Sequence, residues 1–321
     1  MLEYFKNRSR MAATGGQWVA AIAGMTVLSL PLFVFGGMVA QRPPQTDLTQ
    51  PLFRGVTYRR QFRRSPHPVM IHIVTVDLTA PGVRVWVTPG EARAIESEVT
   101  ARTTSDFLQE FGLQLAINAS YFHPFDETTP WEFYPHAGDR VGAVGQAISD
   151  GQEYSAPLAG WSVLCISAQA RAQILLADRC PPETQQAIAG SHLLVQQGRA
   201  IGAARATEKQ DYYSRTAVAV DRSGKTLWLL AVDDKQWFYS EGITLAELAE
   251  MAIAMGADAL LNLDGGGSTT LVMATPSGAK LLNSPAHTKI PMRQRVVATH
   301  LGIYAQPWTT SRSPTAVEID Q

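Results

Sequence analysis

Charge is scarce and evenly balanced in this 321-residue chain: 27 Lys and Arg stand against 28 Asp and Glu, a formal net charge of −1, and charged residues make up 17% of the sequence. No basic helix and no zinc-ligand spacing interrupts that balance. Nucleic acid is therefore not an expected partner, and any anion recognition has to be local. No repeat of fixed period is present. Cysteine is limited to Cys165 and Cys180, each in or beside a β-prone run. In an exported protein those runs, folded as a hairpin, bring the two thiols within disulfide reach; the alternative is that they pack as small hydrophobes.

Apolar residues, at 45%, suffice for one large domain or two smaller ones with a real core. Charge is missing altogether from Met11 through Gln41, and Trp18 to Ala40 is nearly all apolar. At about 1.5 Å per residue that run is long enough to cross a hydrocarbon layer of roughly 30 Å. Lys6, Arg8 and Arg10 precede it. The expected arrangement is a cytoplasmic segment 1–17, a transmembrane anchor 18–40 that meets the lipid bilayer, and everything after Arg42 exported. That makes a single-pass protein of the cell membrane with its domain on the extracytoplasmic side. The alternative is a cleaved signal peptide, for which Met38-Val39-Ala40 is a poor cleavage site because Met occupies a small-residue position. Residues 41–52, polar and proline-containing, read as a linker, 53–306 as the folded domain and 307–321 as a tail.

The most informative stretch runs from Ala259 to Val272. An apolar run ends on Asn262-Leu263-Asp264, the glycines Gly265, Gly266 and Gly267 follow, then Ser268, Thr269 and Thr270, and a second β-prone run begins at Leu271. It reads as a buried strand, a tight loop and a returning strand. Such glycines let a loop aim its amides at an anion. A Walker-type loop is excluded, since no Lys follows the glycines and strand rather than helix comes next, and Rossmann spacing is absent. The plain alternative is a glycine-rich turn capped by Asp264 and Ser268.

Val69 to Asp77 and Val83 to Thr88 read as paired strands around Ala80-Pro81-Gly82. The arginines at 54, 59, 60, 63 and 64 suit the open face of an edge strand. Thr103 to Asp106 supply capping residues for a helix stopping at Gly112, and Leu115-Ala116-Ile117 delivers Asn118 at a strand end. The aromatic, proline-rich stretch 123–160 reads as a wall or lid. Ser214 to Asp221 and Thr226 to Val232 form an expected hairpin that delivers Asp233 and Asp234. Thr244 and Glu247 form a capping box for a helix feeding the strand that ends at Asp264.

Together these segments resemble the phosphodiester glycosidase family, whose founding activity removes N-acetylglucosamine from a sugar-phosphate diester. The matching blocks, in family order, are 116–122 (Ala-Ile-Asn-Ala-Ser-Tyr-Phe), 215–218 (Arg-Thr-Ala-Val), 242–245 (Gly-Ile-Thr-Leu), 262–270 (Asn-Leu-Asp-Gly-Gly-Gly-Ser-Thr-Thr), and Asn283 with Arg295. Thr299 and His300 stand where the family often has Asn. The resemblance implies an α+β domain with a mixed β-sheet core and a few packed helices. Its implied activity is hydrolysis of a glycosyl phosphodiester, here in a glycan or glycolipid of exopolysaccharide or envelope metabolism. A non-catalytic carbohydrate-binding protein and another phosphodiesterase are the competing readings.

The residues can support that chemistry. Arg215 and Arg295 suit a phosphate, because a guanidinium engages two oxygens without losing charge. Asp264 is the first candidate to activate water, with Asp233 or Asp234 the second carboxylate. Asn118 is placed to hold a hydroxyl or phosphate oxygen, and Ser268 or Thr269 to donate alongside the Gly265–Gly267 amides. Trp131, Tyr134, Trp237, Phe238 and Tyr239 are the loop aromatics available for sugar stacking. No cofactor is implied; a divalent metal between carboxylates is allowed, but no spacing demands one.

Overall fold

The structure, a computed structural model, describes residues 33–91, 97–206 and 211–308. The chain divides into two units, Met1–Arg42 and Pro43–Gln321. In the first, residues 33–40 are helical. The rest of the expected span 18–40, the segment 1–17 and residues 309–321 of the expected tail lie outside the described residues. No helix among the described residues is long and apolar enough to cross a membrane.

The second unit is organised by period-two alternation in strands buried on both faces. Its largest sheet has eight strands in the order Leu48–Phe53, Val56–Arg63, Val69–Asp77, Thr226–Val232, Arg215–Val220, Ala259–Asn262, His192–Gln196, Arg199–Ala200. One side of its centre (Ile71, Ile73, Ala219, Leu230, Leu260) packs on Leu248, Ala249 and Ala252 of helix Leu245–Ala254. The other side (Val74, Val76, Val218, Leu229, Leu261) meets Leu115, Ile117, Leu271, Leu301 and Ile303 of a second sheet. That sheet runs Gly278–Leu281, Leu271–Thr275, Leu115–Asn118, His300–Tyr304, Arg84–Val87. Helix Thr104–Glu110 covers its outer face through Phe107 and Leu108 against Ala116 and Val272. The layers are thus helix, sheet, sheet, helix, and each buried Leu or Ile adds about 1.5–3 kcal/mol of apolar transfer.

The α+β class is as expected, and both helices begin at complete capping boxes, Thr103 with Asp106 and Thr244 with Glu247. The sheets are antiparallel rather than mixed: hairpins such as Arg215–Val220 with Thr226–Val232 leave no room for a parallel crossover, and remote neighbours such as Arg215–Val220 with Ala259–Asn262 pair antiparallel as well. Two local expectations change. Val69–Asp77 pairs with Val56–Arg63 and Thr226–Val232, whereas Arg84–Val87 crosses to the second sheet and pairs with His300–Tyr304. The arginine-rich strand is not the edge either. Leu48–Phe53, largely inside the expected linker, pairs alongside it. Arg60, nearly buried, donates from Nε to Thr46 O (2.9 Å) and holds that segment down.

A third sheet contributes Leu164, Ile166 and Ile188 to the central core. Its strands Ser162–Ser167 and Ala172–Leu175 form the expected hairpin. Cys165 and Cys180 are joined as a disulfide, Cα atoms 5.8 Å apart, with Cys180 lying beyond the second strand on the returning loop. The bond closes a separation of 15 residues. Replacing both cysteines by alanine is expected to cost about 3 kcal/mol, read as a lower urea midpoint that reductant reproduces in the parent protein.

Candidate active site

Strand Ala259–Asn262 runs between Arg215–Val220 and His192–Gln196 and ends in the buried Leu263. Asp264 follows where the sheet stops, 9% exposed. Asn118, ending a strand of the second sheet, fixes the loop that starts there. Its Nδ2 donates to Asp264 O (2.6 Å), while its Oδ1 accepts from Thr216 Oγ1 (3.1 Å) and from the Thr270 amide (3.0 Å). One side chain therefore ties both flanks of the glycine loop to both sheets. Asn118 is 1% exposed and its oxygen is committed, so it stands behind the cavity rather than on its wall.

The loop bonds three of its own amides, those of Gly266, Ser268 and Thr269, to backbone carbonyls. Gly266, at φ +61°, donates to Ser214 O (3.3 Å); Ser268 and Thr269 close a 3-10 turn onto Gly265 O and Gly266 O. The expected use of the Gly266 amide as a phosphate donor is therefore replaced by a structural one. Gly267 is needed for space, because a Cβ there would lie 2.6 Å from Arg295 Nη2. Thr269 is buried underneath, its Oγ1 accepting from Thr216 Oγ1 and its carbonyl from Asn283 Nδ2.

Above the loop lies a cavity of ≈ 240 Å³ walled by Arg215, Asp264, Gly265 and Arg295, with the rings of Tyr121, Phe122, Phe125 and Tyr213. Ser268 links its charges: it donates to the Asp264 carboxylate and accepts from Arg295 Nη1 at 3.1 Å. Burial pushes Asp264 up to about 6, against the opposing pull of Ser268 and Arg295. The Arg295 guanidinium also stacks 4.5 Å from the centre of Phe125 and pairs through Nη2 with Glu127. Its Nε donates to His287 Nδ1 at 3.3 Å. Burial, and then Arg295, push His287 down to about 4, so the ring is neutral at neutral pH and its 3.3 Å approach to Glu127 is no ion pair. Arg215 donates to the carbonyls of Ile243 and Asp211, has no carboxylate partner among the described residues, and lies 5.5 Å from the Tyr213 ring centre.

Four of the expected site residues, Arg215, Asp264, Gly265 and Arg295, thus converge from three remote segments, with Ser268 directly behind. Asp233 does not join them. The alternation of its strand sends it into the layer between the sheets, where Asn283 Nδ2 (2.9 Å), the Ser284 amide (3.1 Å) and His72 Nε2 (3.1 Å) take both oxygens. Asp234, pushed up by burial, packs in a separate crevice with Ser214 and Gly266. The aromatics differ as well: Trp131, Trp237 and Phe238 are almost fully exposed, and Tyr134 and Tyr239 bond backbone carbonyls. Thr299 and His300 are buried, bonded to Ser120 O and Thr88 Oγ1. No sequence signal marks Glu127 or His287 as neighbours of Arg295. Tyr121 and Phe122, inside a matched block, were legible as cavity residues in principle. Among the described residues no three His, Cys, Asp or Glu side chains converge as a metal set.

The family model for phosphodiester glycosidases matches residues 111–304. Three solved structures share the fold. A hypothetical protein from Synechocystis has 17% identity and a TM-score of 0.53, covering 83% of this chain and 65% of its own. The zebrafish N-acetylglucosamine-1-phosphodiester α-N-acetylglucosaminidase catalytic domain, auto-inhibited by its pro-peptide, has 20% identity and a TM-score of 0.53, with 81% and 89% covered. An exported protein assigned as such in Burkholderia pseudomallei K96243 has 12% identity and a TM-score of 0.57, with 82% and 97% covered. This chain thus spans about two thirds of the Synechocystis chain's length. No curated protein matches the chain significantly. The match over residues 111–304 places the chain in the phosphodiester glycosidase family, a family of glycosyl phosphodiester hydrolases.

The raised pKa of Asp264 carries a stability cost. Between the ordinary 3.8 and about 6 the unfolded chain releases this proton while the folded chain keeps it. Stability therefore falls as pH rises through that window and is level above it. Asp264→Asn is expected to remove that descent, worth on the order of 2–3 kcal/mol, in urea midpoints measured from pH 4 to 8.

Proposed function

We propose that the cavity hydrolyses a glycosyl phosphodiester at the bond between the anomeric carbon and the phosphate oxygen. Arg215 and Arg295 hold the phosphate, and Asp264 acts at the anomeric centre. The observation that carries this reading is the convergence of one buried carboxylate with two guanidinium groups on the wall of a single cavity. The leaving group is a phosphomonoester, whose second pKa is about 6, so it departs as an anion stabilised by the guanidiniums and needs little help from a general acid. One carboxylate then suffices. In its charged form Asp264 activates water or stabilises the positive charge developing on the sugar ring.

The cavity, at ≈ 240 Å³, is smaller than a drug-sized site of roughly 300–1,000 Å³. It suits one sugar ring and its phosphate, with the ring against Phe122, Phe125 or Tyr213 and the alcohol portion of the diester outside. On the same reading residues 18–40 hold the enzyme at the cell membrane, its domain faces outward, and its substrate is a glycan or glycolipid phosphodiester of exopolysaccharide or envelope metabolism. The Cys165–Cys180 disulfide supports an oxidising compartment.

Hydrolysis of a sugar-1-phosphodiester in H2(18)O tests the bond assignment: the label is expected in the released sugar, and label in the phosphate contradicts it. Asp264→Asn should lower kcat roughly 10²–10⁴-fold with little change in KM, whereas a non-catalytic binder has no rate to lose. In the parent enzyme kcat/KM should rise with pH through about 6 and then level, as Asp264 loses its proton, and Asp264→Glu should move that inflection.

A further inference from the structure

Beside the cavity, the chain builds a short turn that presents two large apolar side chains to solvent. Trp237 and Phe238 are adjacent and 86% and 88% exposed. The turn beneath them is firmly held. Gln236, buried, donates from Nε2 to Ser284 O (2.7 Å) and accepts from Ser284 Oγ (2.7 Å), and its backbone pairs with Ser240 in both directions. Lys235 and Phe238 both sit at positive φ, +54° and +60°. Non-glycine residues adopt that conformation only where their surroundings impose it. The display of two aromatic side chains is therefore built in.

Two neighbours indicate what covers it. Gln45 Nε2 donates to Phe238 O (2.8 Å) and Tyr239 OH donates to Pro43 O (3.0 Å), so the turn is bonded to the residues where the domain begins. The uncharged apolar run of the sequence ends at Ala40, three residues earlier. On the other side, Lys235 Nζ lies 4.0 Å from the ring centre of Tyr213, which walls the cavity.

We propose that the Lys235–Tyr239 turn is an interfacial foot that sinks Trp237 and Phe238 into the headgroup region of a lipid bilayer, at the rim of the cavity. The inference rests on reading residues 18–40 as a membrane anchor. A chain leaving the bilayer at Ala40 and fastened at Pro43 and Gln45 to the turn leaves that turn no more than a few residues from the membrane surface. Trp237, whose indole has a polar edge, favours this depth, and Phe238 adds apolar surface beside it. A flexible tether would let the domain tumble; a foot fixes which side of it meets the lipid.

The test uses the full chain reconstituted in phosphatidylcholine and phosphatidylglycerol vesicles, with and without brominated acyl chains. Bromine is expected to quench part of the tryptophan emission. In Trp237→Phe the quenched part falls by roughly one tryptophan's share, with Trp18 supplying the remainder, whereas Trp228→Phe, under the packed helix layer, leaves it unchanged. Trp237→Phe should keep the parent's hydrolysis of a water-soluble substrate, which confirms its fold. Vesicle flotation separates the two readings. Protein that floats but is quenched equally in parent and Trp237→Phe overturns the foot and leaves the anchor; protein that does not float overturns both.

Discussion

The site depends on one short chain of contacts, Arg295 to Ser268 to Asp264, laid across the end of a buried strand. A carboxylate removed from water becomes harder to ionise unless a positive charge or a donor compensates. Here both are present and neither is sufficient, so Asp264 keeps a pKa of about 6 rather than returning to the ordinary range. The residual imbalance leaves the group able to exchange a proton near pH 6, with a guanidinium one hydroxyl away. Gly267 permits this arrangement because any side chain there would meet the guanidinium.

The two-sheet architecture holds that chain of contacts in place. Asp264 lies where a strand of the large sheet ends, and Asn118 where a strand of the second sheet ends, and the amide of Asn118 closes the seam between them. A glycine-rich loop would otherwise have many conformations to choose from; bonds from Asn118, Ser214 and Asn283 select one. The Gly266 amide, which a phosphate-binding loop would show to its ligand, is spent on this closure. In the proposed function anion recognition is the work of side chains, the arginines brought to the cavity from two other segments. The paired layers behind, with apolar residues facing both ways, give the seam a rigid support.

Much of this was legible in the chain, and the exceptions share a cause. Apolar runs ending on a polar residue reveal strand ends, which is why Asn118, Asp233 and Asp264 all stood out. What such a pattern cannot convey is the partner waiting on the far side. Asp233 meets Asn283, Ser284 and His72 in the interior, whereas Asp264 meets a cavity. Glu127, in the two-residue strand Asp126–Glu127, and His287, in the 3-10 turn His287–Lys289, sit in elements too short to show a periodicity, and they reach Arg295 only through the folding of two distant segments. The polar composition of residues 41–52 concealed an edge strand, because only Leu48, Leu52 and Phe53 of that strand pack against the core and Thr49 and Pro51 face solvent. Short turns mark the hairpins, whereas the antiparallel pairing of strands remote in the chain, such as Leu115–Asn118 with Leu271–Thr275 and His300–Tyr304, left no local trace.

The proposal that carries the rest is that Asp264, reactive as a carboxylate, shares one cavity with the substrate's phosphate; that second negative charge then raises its pKa further, so binding near pH 6 draws a fraction of a proton onto it while the charged form prevails at higher pH. Calorimetric binding of a non-hydrolysable glycosyl phosphonate near pH 6, repeated in buffers of different ionisation enthalpy, measures that proton directly. The account predicts net uptake of a fraction of a proton that disappears in Asp264→Asn; binding without uptake, or uptake that survives the substitution, would contradict it.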